Sequence, residues 1–274
     1  MCCIIVALNR VKVKICYTEI SMKALDPLLK NEHTRRLYSA VGLRKPFVRQ
    51  AKTKHYRLPE LEANGGFLTL KPYAGPVISP AEWERLDYVT YPSDPDTFFA
   101  PLASADGQVK MSGFWEFGKT DRDAIWTPNA EKAPGLKCWV EGLGVNFGRV
   151  QLLRMEPNSL RETRWGLHLD DNNRLNPEKE GWIVRLWLEL TDDAESRLVL
   201  RRDEFDRARE VQLPLARGTQ LLVDSEYLFH GAWHAGTKTR YALIVSVTSG
   251  PEFERWLKGQ LPATQPIVAP WLEK

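Results

Sequence analysis

Two histidines and a carboxylate stand at spacings that could hold a metal ion. His168 and Asp170 are two residues apart in the run RWGLHLD, and His230 follows sixty residues after Asp170. If this run is a strand, the side chains of His168 and Asp170 point the same way, because alternate residues of a strand share a face. Two imidazoles and a carboxylate on one side of a metal leave its other coordination positions open for reactants.

The HxD pair alone is weak evidence for a metal site, since such a pair also arises by chance. His230 in a later turn strengthens the interpretation, and Arg240 follows ten residues beyond it. His234, further along the GAWHAGTKT loop, is an alternative to His230 as the third ligand.

Arg240 begins the strongly apolar run RYALIVSV. A guanidinium in a buried strand is costly to leave unpaired, and its planar fork suits a carboxylate. We therefore expect a buried dicarboxylate ligand near Arg240, with an ordinary surface arginine at a strand start as the alternative. A metal with open positions and such a co-substrate is the arrangement of non-haem Fe(II) oxygenases.

The chain from residue 145 onward is a succession of short β-rich runs separated by turns, which predicts antiparallel strands in a sandwich or barrel. In the run WIVRLWLEL, Ile183, Arg185, Trp187 and Glu189 share one face, and the valine and leucines share the other. We expect the leucine face to be core and the mixed face to line a polar cavity. Arg185 could pair with Glu189 on that face.

The N-terminal half is less regular. Apolar positions at helical spacing predict a helix within residues 22–45, and Pro and Gly interrupt residues 56–140 repeatedly. The predicted organisation is a possible N-terminal extension (1–21), an N-terminal region packing on the core (22–140), a jelly-roll core (141–257) and a C-terminal tail (258–274).

Composition excludes several classes of protein. The 274 residues are 43% hydrophobic and 27% charged, with a net charge of +3, as in ordinary globular proteins. Basic blocks that would indicate nucleic-acid binding are absent, and no apolar stretch reaches the length of a membrane span. The four cysteines lack the spacing of a zinc site or disulfide framework, so we expect a cytoplasmic protein. Its oligomeric state is left open.

The order HxD, His and Arg resembles the Fe(II)/2-oxoglutarate-dependent dioxygenases, and within them the aspartyl/asparaginyl β-hydroxylase and cis-proline hydroxylase branch. The resemblance covers roughly residues 145–255. Its most specific part is the block RGTQLLVDSEYLFHGAWHAGTKTRYALIVSV, which has the family's glycine, strand, aspartate-serine turn, ligand histidine, arginine and aliphatic strand in order.

The resemblance implies a mainly β fold, the cupin-like double-stranded β-helix or jelly-roll, flanked by an N-terminal helix and irregular strands. It implies His168, Asp170 and His230 as iron ligands, and its spacing favours His230 over His234. Arg240 would bind the distal carboxylate of 2-oxoglutarate, with Arg185 as a second contact.

Two departures from the branch bear on the chemistry. The β-hydroxylase branch commonly lacks the carboxylate ligand, whereas Asp170 is present here. Its presence favours hydroxylation over halogenation, in which that position is vacated for chloride. Trp187 stands where the branch often has a histidine, so the co-substrate pocket is expected to differ.

The expected reaction consumes 2-oxoglutarate and O2, hydroxylates an unactivated C–H bond of a small amino-acid-like or natural-product substrate, and releases succinate and CO2. Candidate substrate contacts are Arg164, Trp165, Asn172, Trp187 and Trp233. The stretch DDNN, which contains Asn172, is also typical of a turn. Alternatives are a protein or peptide β-hydroxylase of the same chemistry, a non-catalytic cupin-like metal-binding module, and a zinc hydrolase using the same ligands.

Overall fold

The computed structural model describes residues 3–8, 11–16, 55–91, 94–177, 179–192 and 195–272. The chain divides into two compact units, residues 1–47 and 48–274. In the first unit, β1 (Cys3–Leu8) and β2 (Val11–Cys16) form an antiparallel hairpin. The helix expected within residues 22–45 lies outside the described residues.

The second unit is mostly β. Its strands are β3 (Phe67–Thr69), β4 (Val89–Tyr91), β5 (Asp94–Ser104), β6 (Ile125–Trp126), β7 (Phe147–Met155), β8 (Ile183–Glu189), β9 (Ser196–Arg201), β10 (Val211–Pro214), β11 (Gln220–Val223), β12 (Phe229–His234) and β13 (Arg240–Thr248). Its α-helices are α1 (Pro59–Ala63), α2 (Ala81–Glu84), α3 (Pro128–Lys132), α4 (Pro134–Glu141), α5 (Leu160–Trp165) and α6 (Pro251–Gln260). A 3-10 helix spans Phe114–Phe117.

Two antiparallel sheets form the core of this unit. Over the described residues, the larger sheet has the order β3-β11-β8-β13-β7-β5-β4, with β6 paired to β5, and the smaller has the order β10-β9-β12. Strands β7, β8, β11 and β13 belong to the larger sheet and β9, β10 and β12 to the smaller, so the chain crosses between two antiparallel sheets as in a jelly-roll. The predicted double-stranded β-helix is confirmed. A single antiparallel bridge between His168 and His230 adds one more pairing at the free edge of β12.

Strand β8 is buried on both faces. Val184, Leu186 and Leu188 pack in a hydrophobic cluster with residues of α2, α4 and α6, while Trp187 packs between the sheets with residues of β9 and β10. The predicted division of this strand into a leucine face and a mixed face is therefore confirmed. Arg185 and Glu189, on the mixed face, point between the two sheets.

The prediction that RWGLHLD is a strand is wrong. Its first two residues end helix α5, and His168 makes only the isolated bridge. The physical reason is a capping box: the Ser159 hydroxyl accepts a hydrogen bond from the Glu162 N–H, and the Glu162 carboxylate accepts one from the Ser159 N–H. Gly166 ends the helix, and the chain then turns towards β12.

The described part of residues 55–140 belongs to the same unit as the jelly-roll. Strand β3 pairs with β11 and β5 pairs with β7, so these strands extend the larger sheet. Helix α6 packs Phe253 and Leu257 into the cluster that also contains Leu136 of α4. None of the described helices combines the length and apolar character that crossing a bilayer requires.

Candidate metal centre

His168, Asp170 and His230 converge on one point. Each offers a ligand atom, and these atoms all lie within 4.8 Å of one another. The Nε2 atom of His168 is 3.8 Å from Oδ1 of Asp170, and the Nε2 atom of His230 is 4.0 Å from Oδ2. Ligand atoms about 2.1 Å from one ion lie about 3 to 4 Å apart, so these separations suit a single metal.

Backbone carbonyl groups orient both imidazoles. The Nδ1–H of His168 donates to the carbonyl oxygen of Gly166 at 3.0 Å, and that of His230 donates to Leu228 at 3.1 Å. Since Nδ1 carries the proton in each ring, the lone pair of Nε2 is left for a metal. The main chains of His168 and His230 also exchange two hydrogen bonds, of 3.2 and 3.0 Å, which place the rings side by side.

Electrostatics put His230 and Asp170 in the protonation states that a metal requires. Burial lowers the pKa of His230 to about 4, so its ring is neutral near pH 7. Burial alone would raise the pKa of Asp170, but the charge and hydrogen bond of Arg185 oppose it, and that pKa lies well below its usual range. A carboxylate and neutral imidazoles are the ligating forms.

Arg185 holds the Asp170 carboxylate. Its Nε donates to Oδ2 of Asp170 at 3.0 Å, its Nη2 donates to Oδ1 of Asn172 at 2.7 Å, and its Nη1 donates to the Ser246 hydroxyl. The alternative pairing of Arg185 with Glu189 is wrong. The Arg185 guanidinium contacts Asp170, and the Glu189 carboxylate pairs with Arg240. Its expected contact with 2-oxoglutarate stays a prediction.

Asp121 and Ser246 support the centre and were missed by the sequence reasoning. The Ser246 hydroxyl donates to Oδ2 of Asp121 at 2.9 Å, and Oδ1 of Asp121 accepts the backbone N–H of Arg149 at 2.7 Å. Ser246 carried a usable signal, as the hydroxyl residue within the aliphatic run RYALIVSV. Asp121 lies in an irregular segment with no pattern that marks it.

Arg240 is buried, with 1% of its surface exposed, so the alternative of a surface arginine is wrong. Its partner is a carboxylate of the chain itself. Nε donates to both carboxylate oxygens of Glu189 at 3.1 Å, and Nη2 donates to Oε2 at 2.5 Å. Trp187 and Thr191 donate to the same carboxylate, at 3.4 and 3.2 Å.

His234 does not join the other two histidines. It is fully buried, its Nδ1 contacts the Ser196 hydroxyl at 2.9 Å, and its Nε2 donates to the Lys238 carbonyl at 2.5 Å. Both ring nitrogens are thus used within the protein. The structure places His230, and not His234, beside Asp170.

A cavity of about 260 Å³ adjoins the trio. Its walls include Asp170, Asn172, Arg149, Arg174 and Trp115. Asn172 lies in the predicted turn, where its Nδ2 donates to Ser225 Oγ at 3.1 Å. Of the trio, Asp170 lines this cavity, and His168 and His230 are not among its walls.

The other predicted substrate residues lie outside the walls of this cavity. Arg164 forms a two-bond ion pair with Glu210, at 2.9 and 2.7 Å. The Trp165 ring lies under the guanidinium of Arg161, Trp187 packs between the sheets, and Trp233 is half-buried on β12. Their substrate roles stay predictions.

Comparisons with known proteins give similarity to solved structures alone; no protein-family profile and no curated protein matches the chain. One similar structure is a 2OG-Fe(II) oxygenase family oxidoreductase from Burkholderia pseudomallei, 14% identical over 71% of this chain and 93% of that one, with a TM-score of 0.43. The alpha-ketoglutarate-dependent carbocyclase SnoK from nogalamycin biosynthesis is 13% identical over 72% of this chain and 86% of that one (TM-score 0.39). HygX from Streptomyces hygroscopicus, with nickel, 2-oxoglutarate and hygromycin B bound, is 13% identical over 70% of this chain and 86% of that one (TM-score 0.37). All three TM-scores lie below 0.5.

Proposed function

We propose that this protein is an Fe(II)/2-oxoglutarate-dependent dioxygenase that hydroxylates a small amino-acid-like substrate. The observation that carries the proposal is the convergence of His168, Asp170 and His230, with both Nδ1 atoms directed to backbone carbonyls. Two imidazoles and one carboxylate are the ligand set of non-haem Fe(II) oxygenases. The retained Asp170 favours hydroxylation over halogenation.

The bound iron and co-substrate supply an oxidant: one O2 and one 2-oxoglutarate convert a C–H bond to C–OH, with release of succinate and CO2. This chain's own residues orient the three side chains that would bind the iron. Arg185 and Asn172 keep the Asp170 carboxylate in place, and the two backbone carbonyls fix the imidazole planes. Such orienting contacts behind metal ligands commonly contribute ten- to a hundredfold in metal affinity.

Arg240 is the group that would receive the distal carboxylate of 2-oxoglutarate. Among the described residues, its Nη1 has only the Met155 thioether as a hydrogen-bonding contact, at 3.8 Å. A thioether is a weak acceptor for a charged donor. One amino group of a buried guanidinium therefore remains suited to a carboxylate ligand.

The cavity beside Asp170 supports a small substrate with charges of both signs. Its walls carry Arg149 and Arg174 as well as Glu116 and Asp171, and Trp115 supplies an aromatic surface. A volume of about 260 Å³ is slightly below the range of about 300 to 1,000 Å³ that is usual for ligand sites. An amino acid or a compact derivative matches this size and charge better than a protein segment, in keeping with the resemblance to the amino-acid-hydroxylating branch.

The test is anaerobic reconstitution with Fe(II) and 2-oxoglutarate, read as the visible charge-transfer band of the chelated complex. His168→Ala and His230→Ala should abolish the band, because each removes one ligand. His234→Gln, which changes a histidine outside the trio, should keep it, with circular dichroism confirming that all variants fold. A band that survives loss of His168 and His230 would refute this metal centre.

A second measurement separates the enzyme from a non-catalytic metal-binding module. Air is admitted to the reconstituted protein with a panel of amino acids and N-modified amino acids, and succinate and hydroxylated products are measured by mass spectrometry. We expect succinate above the no-substrate level with at least one compound. Iron and 2-oxoglutarate binding without any succinate release would favour the non-catalytic module.

A further inference from the structure

The ion pair between Arg240 and Glu189 is unusually deep. Both side chains have 0% of their surface exposed, and they are joined by three guanidinium hydrogen bonds. Removing two charges from water carries a large desolvation penalty. The attraction between the charges offsets this penalty only when the geometry of the pair is good. Here Trp187 and Thr191 complete the carboxylate's hydrogen bonds.

This pair lies in the same space between the sheets as the candidate metal centre. Glu189 is on the inner face of β8, four residues beyond Arg185, or about 13 Å along the strand. Arg240 is on the inner face of the neighbouring β13, six residues before Ser246, which contacts Arg185. The candidate metal centre and the buried pair therefore lie towards opposite ends of the space between the sheets, with the buried Trp187 between them on β8.

The guanidinium has one edge already occupied by a carboxylate. Glu189 takes Nε and Nη2, and Nη1 faces the sulfur of Met155. A second carboxylate must either share Arg240 from the Nη1 side or displace Glu189. In both cases two buried carboxylates face one buried guanidinium, which leaves one negative charge without a partner.

We propose that Glu189 is a specificity-determining residue for the co-substrate: it competes with the distal carboxylate of 2-oxoglutarate for Arg240. The inference rests on the proposed function of the same site. Its consequence is weak discrimination between 2-oxo acids with a charged far end and those with an uncharged far end. A 2-oxo acid with an apolar tail loses less binding free energy than 2-oxoglutarate does, because it brings no second carboxylate beside Glu189.

The experiment is an anaerobic titration of the Fe(II)-loaded protein, in which the charge-transfer band reports the dissociation constants of 2-oxoglutarate and 2-oxovalerate. Glu189→Gln keeps the shape of the side chain and removes its charge. It should tighten 2-oxoglutarate binding about tenfold or more and leave 2-oxovalerate within about twofold, because only the dicarboxylate gains from an uncompensated Arg240. Glu210→Gln is the matched control, since Glu210 is also buried and ion-paired, with Arg201 and Arg164. It should change neither constant.

A Glu189→Gln protein that binds 2-oxoglutarate more weakly, or as the wild type does, overturns the inference and makes Glu189 a positioning partner of Arg240. Wild-type protein gives an independent reading that does not depend on the variant folding. It should bind the two acids within about threefold of each other, and a preference of about a hundredfold for 2-oxoglutarate would contradict the inference. If Co(II) binds but neither acid gives a band with Fe(II) in either protein, the proposed function itself fails.

Discussion

At the scale of single residues, the roles of the histidines follow from how their ring nitrogens are used. His168 and His230 each direct Nδ1 to a backbone carbonyl and keep Nε2 for a ligand, whereas His234 uses both nitrogens inside the protein. Depth of burial does not mark the candidate ligands, because His234, which lies outside the trio, is the most deeply buried of the three histidines. The hydrogen bonds around each ring distinguish a candidate ligand from a structural histidine.

Glu226, in the turn before His230, is a second residue whose surroundings decide its behaviour. Its Oε2 accepts a hydrogen bond from Asn173 at 2.7 Å. Burial, with the nearby carboxylates of Asp224 and Asp171, raises its pKa to about 7 despite this bond. The folded protein therefore holds a proton on Glu226 at pH values where an unfolded chain has released it.

We predict a pH-dependent effect of Glu226→Gln on stability. A carboxyl group whose pKa is raised on folding stabilises the protein fully below its unfolded pKa, and this stabilisation is lost as the pH rises through about 7. The variant should match the wild type at pH 5 and exceed it by about 2 kcal/mol in free energy of unfolding at pH 8. Urea denaturation at both pH values measures this difference. The exposed Glu252→Gln should show no such change, and a pH-independent effect of Glu226→Gln would contradict the assignment.

At the scale of elements, a turn and a strand edge position the three candidate ligands. Helix α5 ends at Trp165, and the following residues form a bridge to β12 that brings His168 beside His230. Behind Arg185, Gly148 of β7 lets Asp121 approach the strand closely enough to accept hydrogen bonds from the Arg149 N–H and the Ser246 hydroxyl. The centre thus depends on close packing between segments far apart in sequence.

We predict that Gly148→Ala disturbs this packing. A Cβ atom at this position would lie 2.0 Å from the Asp121 carbonyl oxygen, which no real contact allows. The turn carrying Asp121 must move, at a cost of about 1 to 3 kcal/mol in free energy of unfolding, and metal affinity should fall because Ser246 and Arg185 lose their support. Urea denaturation and metal titration measure the two effects.

Gly259→Ala in α6 is the matched control. A Cβ atom there would meet nothing within 4 Å, so the variant should be neutral or stabilised by up to about 1 kcal/mol. Equal effects of the two alanine substitutions would show that the close approach of Asp121 to Gly148 is unimportant.

At the scale of the whole molecule, the candidate metal centre contains groups held by both sheets of the jelly-roll. Asp170 is held by Arg185 of the larger sheet, and His230 belongs to β12 of the smaller one. An ion bound by both would join groups that separate when the protein unfolds. Metal binding should therefore stabilise the whole second unit.

We predict that Co(II) or Ni(II) at about a hundred times its dissociation constant raises the free energy of unfolding by about 2.7 kcal/mol. For a protein of this size, that should raise the melting temperature by about 5 to 10 °C. Differential scanning calorimetry measures the shift, and excess chelator should reverse it. His230→Ala should show little or none of the shift, and equal stabilisation of variant and wild type would place the metal elsewhere.

The sequence by itself determined the β-rich half and the candidate ligands. Alternation in WIVRLWLEL predicted which side chains of β8 share a face, because that pattern depends only on the pleat of one strand. The family resemblance carried by HxD, His230 and Arg240 implied the trio of candidate ligands that the structure brings together. The helix at Leu160–Trp165 was missed because six residues are too few for helical periodicity, although the capping box of Ser159 and Glu162 marked its start.

Only the tertiary structure decided how the charges pair. Arg185 and Glu189 share a face of β8, so the sequence allowed them to pair with each other, yet Arg185 binds Asp170 and Glu189 binds Arg240. The physical reason is register: a side chain's own strand determines the face on which it lies, but the partner it meets depends on the alignment of strands distant in the chain. Asp121 joined the site in the same way, through a close approach to Gly148 that no local pattern predicts.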